Sequence, residues 1–337
     1  MKSLPFQRSH PPVYAALAVV LFMALTTAAL AKEINVVTAE NVGLSTDRLS
    51  RLGKALQDDV DQGTLAGSVV LIARHGSIAY CRAFGMADIE SDIKMRTDHL
   101  FRMYSMIKPI TSTALLMLYK EGKFQLTDPL EKYIPAFQDV KVFRGVDENG
   151  AVVLEDPRRK ITIQDVFRHT AGFSYGSTDE PVDRAYLEAG IDFGKIGSLK
   201  ELVDALATLP LLYQPGERWV YSVSHDVQAY LVEYFSGMPF DEYVHTKIFQ
   251  PLGMNDSFFG VPKEYVSRFT TVYGPAEKGG LQAIDKPESS HYARYTEHPF
   301  GGIGLSSTAY DYYLLSQMLL DRGRLNNVRI LEGRPSS

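Results

Sequence analysis

Ser105 and Lys108 stand three residues apart at the start of an apolar run, Ile107 to Lys120. On a helix, residues at this spacing share a face, with Cβ atoms roughly 5–6 Å apart. An amine placed so can serve a hydroxyl without a histidine. A free lysine, with a pKa of about 10.4, is a poor base near neutrality. Burial against apolar neighbours disfavours an ammonium and favours the neutral amine. A neutral amine at Lys108 would take the Ser105 proton and leave an oxygen nucleophile.

The spacing alone is weak, because about one S-x-x-K is expected by chance in a chain of this size. Ser91 and Lys94 form such a decoy, set among the charged residues Glu90 to Asp98, and read as solvated loop. The surroundings of Ser105 differ. Leu100 and Phe101 lead in, and Ile107, Ile110, Ala114, Leu115 and Leu118 follow at helical spacing. Pro109 falls in the first turn, where a missing donor costs least, and Gly122 ends the run. Ser105 then lies at a helix N-terminus, whose dipole favours developing negative charge. A plain capping serine fits the same position.

Other segments carry weaker signals. Tyr221-Ser222 follows the Pro215-Gly216 turn and enters an apolar helix. A phenol there could protonate a leaving group and activate water. The chain has 19 tyrosines, so by position alone a core aromatic is the first reading. His169 ends a helix and reads as a hydrogen-bonded structural histidine rather than a base. Gly301 to Gly304 could let the backbone approach a ligand closely, although glycines before a helix read first as turn residues. Cys81 is the only cysteine, which excludes an intrachain disulfide and a cysteine-based metal site. It lies in a strand pattern and reads as an inert core thiol. No metal or organic cofactor is implied.

The elements that must hold these residues are legible in outline. Helices are expected over Asp47–Gln62, from Thr162 to near His169, and over Leu199–Leu209, Asp226–Ser236 and Thr308–Leu320, the last with capping-box spacing at Thr308 and Asp311. A short helix is expected from Leu126 to near Ile134. Strands Gly67–Ala73 and Ser77–Phe84 flank Arg74-His75-Gly76, a hairpin signal. A second small hairpin is expected between Val140 and Lys160. Ser174 to Gly197 is polar and reads as irregular.

The 337 residues are 45% hydrophobic and 22% charged, ample for a large core. A net charge of −5 without a dense basic cluster argues against a nucleic-acid surface. Lys2 and Arg8 precede an apolar stretch, Val13 to Leu25, and Ala29-Leu30-Ala31 has a small-residue cleavage pattern. Residues 1–31 are therefore expected to be a signal peptide. The body would be exported, periplasmic or secreted, starting at Lys32. An uncleaved membrane anchor is the alternative.

Taken together, P-I-T-S-T-A-L-L-M-L from Pro109, I-T-I-Q-D-V-F-R-H-T-A-G-F from Ile161, Y-S-V-S-H-D-V from Tyr221 and I-F-Q-P-L-G-M-N-D-S from Ile248 form a specific set. From about Asp47 onward the chain resembles the serine β-lactamase and penicillin-binding-protein superfamily, in the class C-like branch that includes many esterases. The resemblance implies an α+β fold of β-lactamase/transpeptidase type. An antiparallel sheet flanked by helices would use residues 32–100 and 301–337. A mainly helical lobe would use 101–300, with the site between them. It implies Ser105 as nucleophile, Lys108 as base and Tyr221 as the tyrosine of the second motif. Ser174 to Gly197 would border the pocket.

Two departures bear on activity. Val223 stands where β-lactamases of this branch carry the Asn of Tyr-x-Asn, which favours carboxylic esters over β-lactams. A β-lactamase or D-alanyl-D-alanine peptidase remains the alternative, and a catalytically inactive binding protein a further one. A small-molecule ester or amide is the expected partner. No third motif (K-T-G, H-x-G or W-x-G) follows before Ser337, so the C-terminal part is expected to be missing, with inner strands, an oxyanion-hole amide and a covering helix. Loss of one oxyanion donor typically costs about 10²–10³ in rate.

Overall fold

The computed structural model describes residues 34–176, 181–189, 191, 196–294 and 299–332. The expected signal peptide lies outside them. From Ile34 onward the chain forms one compact unit.

Ser45 accepts from the Arg48 N–H and starts helix α1, Thr46–Asp61. Strands β1, Gly67–Arg74, and β2, Ser77–Asp88, pair antiparallel with Arg74 opposite Ser77. His75 and Gly76 turn the chain at φ +53° and +76°, the left-handed pair a two-residue hairpin requires. Strand β3, Ile93–Lys94, adds to β2, giving the order β1-β2-β3. Ser91 and Lys94 are both exposed, as a decoy should be. Cys81 on β2 is half-buried rather than enclosed in the core.

Strand β4, Phe101–Arg102, runs into a 3₁₀ turn, Tyr104–Ile107, and then helix α2, Lys108–Lys120. The expected face of α2 is buried: Ile107, Ile110, Ala114, Leu115 and Leu118 all lie in the core. Two 3₁₀ turns, Leu130–Lys132 and Pro135–Asp139, replace the short helix expected there. Strands β5, Val142–Val146, and β6, Val152–Glu155, form the second hairpin. Helix α3, Ile163–Arg168, opens on a reciprocal capping box between Thr162 and Asp165.

Helix α4, Pro181–Glu188, corrects the reading of Ser174–Gly197 as irregular throughout. Val182 and Tyr186, one turn apart, both pack into the core and stabilise a helix that polar composition concealed. Helix α5, Leu199–Ala207, is capped by Ser198, and α6, Ser224–Ser236, ends on Gly237 at φ +69°. Helix α7, Phe240–Val244, continues through a π turn, His245–Phe249, into α8, Gln250–Leu252.

Strand β7, Phe258–Phe259, precedes the hairpin of β8, Val272–Pro275, and β9, Leu281–Asp285. Strand β10, Leu305–Ser307, inserts between β4 and β7. Among the described residues, 101–300 thus hold six strands as well as helices. Strand pairs here satisfy backbone groups where hydrophobic periodicity lapses. Helix α9, Ala309–Leu320, is capped by Thr308, which accepts from the Asp311 N–H. The short strands β11, Arg324–Leu325, and β12, Val328–Arg329, follow.

Helix α1 packs on β2, α9 packs on β1, and α2 packs on α6 inside the main core. Among the described residues β1 pairs only with β2. A groove of about 590 Å³ runs along β1 beside α9 to Met106. No helix among the described residues is long and apolar enough to cross a membrane.

Candidate active site

The nucleophile candidate owes its position to strand β4. Arg102 is buried beside it, and its Nε sits 2.6 Å from the Asp285 carboxylate on β9. Its guanidinium also donates to the Thr270 carbonyl and lies over the Phe269 ring at 4.1 Å. The chain then turns through Tyr104 at φ +44°. That left-handed conformation is strained for an aromatic residue and is commonest at functional turns. Ser105 leaves the turn exposed, while Lys108, on the next turn, is only 7% exposed.

Lys108 Nζ lies 3.0 Å from Ser105 Oγ and donates to the Gly302 carbonyl at 2.9 Å. Tyr221 Oη lies 2.6 Å from the same Ser105 Oγ. Ser105, Lys108 and Tyr221, 116 residues apart at the extremes, therefore meet at one oxygen. The amine also sits over the rings of Tyr221 at 4.9 Å and Tyr175 at 5.7 Å. A carbonyl and two ring faces can hold it when protonated.

Tyr221 is held by what precedes it. The Gly216 and Val220 N–H groups donate to the Thr170 and His169 carbonyls, and the Ser222 N–H donates to His169 Nδ1. The last bond places the proton of a neutral His169 ring on Nε2. Burial, helped by the Lys108 charge, pushes His169 down to about 4, so it is neutral near pH 7. Its ring packs against that of Tyr221 at 5.0 Å. It is a buried, hydrogen-bonded residue, as its helix-end position suggested. Val223 is buried and brings no amide to the site.

Gly301 and Gly302 do more than turn the chain. A Cβ on Gly301 would strike the His225 carbonyl, and one on Gly302 would crowd Tyr175 and Asp226. Their carbonyls receive Thr111 Oγ1 and Lys108 Nζ, and the Gly302 N–H donates to Asp226 Oδ1 at 2.9 Å. Asp226 is fully buried, and among the described residues its Oδ2 has no hydrogen-bond partner. Burial raises this carboxyl to about 6 against the lowering effect of the Gly302 N–H and Lys108. The glycines at 301–304 hinted at a close approach, but nothing in the spacing of Asp226 or Tyr175 pointed to this cluster. A further trace was helix α6, expected to be apolar but opening on the buried polar residues Ser224, His225, Asp226 and Gln228. Among the described residues no group of three or more His, Cys, Asp or Glu could hold a metal ion.

A family model described as Beta-lactamase matches residues 52–335. An uncharacterized protein of Mycobacterium tuberculosis is 34% identical over 279 residues, covering 82% of this chain and 68% of that protein. Esterase EstB of Burkholderia gladioli is 35% identical over 213 residues, 62% of this chain and 51% of EstB. The solved structure of EstCE1, described as a hydrolase with promiscuous acyltransferase activity, superposes with a TM-score of 0.69 at 26% identity. That match covers 83% of this chain and 74% of EstCE1.

Proposed function

The chain belongs to the beta-lactamase family of serine hydrolases, and from that premise we propose that it cleaves carboxylic esters through an acyl-enzyme on Ser105. The observation that supports this most is the convergence of Lys108 Nζ and Tyr221 Oη on Ser105 Oγ. In acylation Ser105 Oγ bonds to the ester carbon as its proton passes to Lys108. The C–O bond to the alcohol breaks, and Tyr221 protonates the departing alkoxide. The site then holds an ammonium and a phenolate. In deacylation the phenolate takes a proton from water, whose oxygen attacks the acyl carbon. The bond to Ser105 breaks, Lys108 returns the proton to Oγ, and the acid leaves. Esters are preferred to β-lactams because Val223 offers no amide, and the likeness to esterase EstB supports the same choice.

A fluorophosphonate probe tests this reading. The expected result is one adduct by intact mass, mapped to the peptide holding Ser105, and loss of p-nitrophenyl acetate hydrolysis in Ser105→Ala. Full ester hydrolysis by Ser105→Ala would end the proposal. Turnover of nitrocefin in preference to p-nitrophenyl acetate would move the assignment to a β-lactamase. Residues 1–31 are read as an export signal, so the exported protein should begin at Lys32 on N-terminal sequencing.

A further inference from the structure

Trp219 is the only tryptophan in the chain, and it is 65% exposed. An indole usually finds cover, because it is the largest apolar side chain available to a core. This one stands two residues before Tyr221. Its ring lies edge-on to His169 at 5.9 Å and flanks the Tyr221 ring at 6.1 Å. The backbone beneath it is anchored at Gly216, Val220 and Ser222 by the bonds to Thr170 and His169. The exposure therefore belongs to a fixed segment and not to a loose loop tip. Tyr104 and Met106, the two neighbours of Ser105, are also large, apolar and exposed. Exposed apolar side chains thus adjoin both Ser105 and Tyr221, and such exposure at a site commonly marks a binding surface.

We propose that Trp219 is a specificity-determining residue that packs against the alcohol portion of the substrate, so that the site selects esters of aryl-bearing or similarly bulky apolar alcohols. This rests on the role given to Tyr221 above. If Tyr221 protonates the departing alkoxide, the alcohol must lie near the phenol, and of the rings packed beside Tyr221 (His169, Tyr175 and Trp219) the one open to solvent is Trp219. An aromatic group there gains ring contact with the indole and removes its apolar face from water. A two-carbon alcohol is too small to reach both rings.

Benzyl acetate and ethyl acetate provide the test, since they share an acyl group and have alcohols of similar basicity. In Trp219→Ala the ratio of kcat/KM for benzyl over ethyl acetate should fall about tenfold, through KM for the benzyl ester. In Trp219→Phe, which restores a ring, most of that ratio should return. Binding is read separately in Ser105→Ala, where benzyl acetate should change the emission of Trp219 saturably and ethyl acetate should not. An unchanged ratio in Trp219→Ala, or no emission change with benzyl acetate, would overturn the inference while leaving ester cleavage intact. If neither ester is hydrolysed, the functional reading fails instead, and the emission titration alone decides the role of Trp219.

Discussion

At the scale of single residues the site is organised around one oxygen. Ser105 Oγ meets an amine and a phenol, and the amine is held by the carbonyl of Gly302. Tyr221→Phe keeps the ring that packs on His169 and removes only the hydroxyl. It is expected to lower kcat by about 10²–10³ with little change in KM, the size of a lost general acid–base partner. Circular dichroism should show an unchanged fold. His169 is held near 4 by burial and the Lys108 charge, so it does not ionise between pH 5 and 8. The pH–rate profile should accordingly lack a histidine inflection in that range. An inflection near 6.5 that vanishes in His169→Asn would contradict this assignment.

At the scale of elements, two long-range attachments position the site. Strand β4 is tied to β9 through the buried Arg102 and Asp285. Arg102→Ala would leave that carboxylate without its partner and release the strand leading into Ser105. A loss of about 3–5 kcal/mol is expected for breaking a pair with a buried partner, and Asp285 is partly exposed, so the lower end applies. Urea unfolding measures it. Helix α6 and the Gly301–Gly302 segment touch backbone to backbone. Gly301→Ala would force that segment off the His225 carbonyl and carry the Gly302 carbonyl away from Lys108. Overpacking of this kind typically costs about 1–3 kcal/mol. Activity is expected to fall further than stability alone explains, measured at a temperature where the variant remains folded.

At the scale of the whole molecule, acid should destabilise the fold. Burial first, then like charge from His169 and Lys108, holds His225 at about 3, and His169 sits at about 4. Both are lower than the ordinary value of about 6.5. The unfolded chain therefore binds more protons as pH falls below about 6.5, and stability drops. Asp165 acts further down. Burial would raise its carboxyl, but Arg159, Thr162 and Thr170 hold it to about 2. Its contribution, about 2 kcal/mol, is present above pH 4 and is lost as pH falls towards 2. Asp226 opposes this trend, because its raised pKa makes the folded state bind a proton between about 4 and 6. The two histidines outweigh it. The thermal midpoint should fall steadily from pH 7 to pH 4, and Asp165→Asn should remove part of the further loss below pH 4. A midpoint that holds steady or rises over pH 7 to 4 would contradict the balance.

What could be read from sequence was local. The buried face of α2, the caps at Thr162 and Thr308, and the β1–β2 hairpin each depend on residues within about one turn or one pair of strands, so spacing encodes them. The same holds for Ser105 and Lys108, which share a helix face. Helix α4 escaped because two core contacts, at Val182 and Tyr186, outweighed a polar composition. The lysine-holding carbonyl of Gly302, the ring of Tyr175 and the buried Asp226 come from segments as much as 194 residues from Lys108. Periodicity is silent on which distant backbone will approach which side chain. That choice was made only in the tertiary structure, where the buried amine of Lys108 had to find an acceptor and the Gly301–Gly302 segment supplied one.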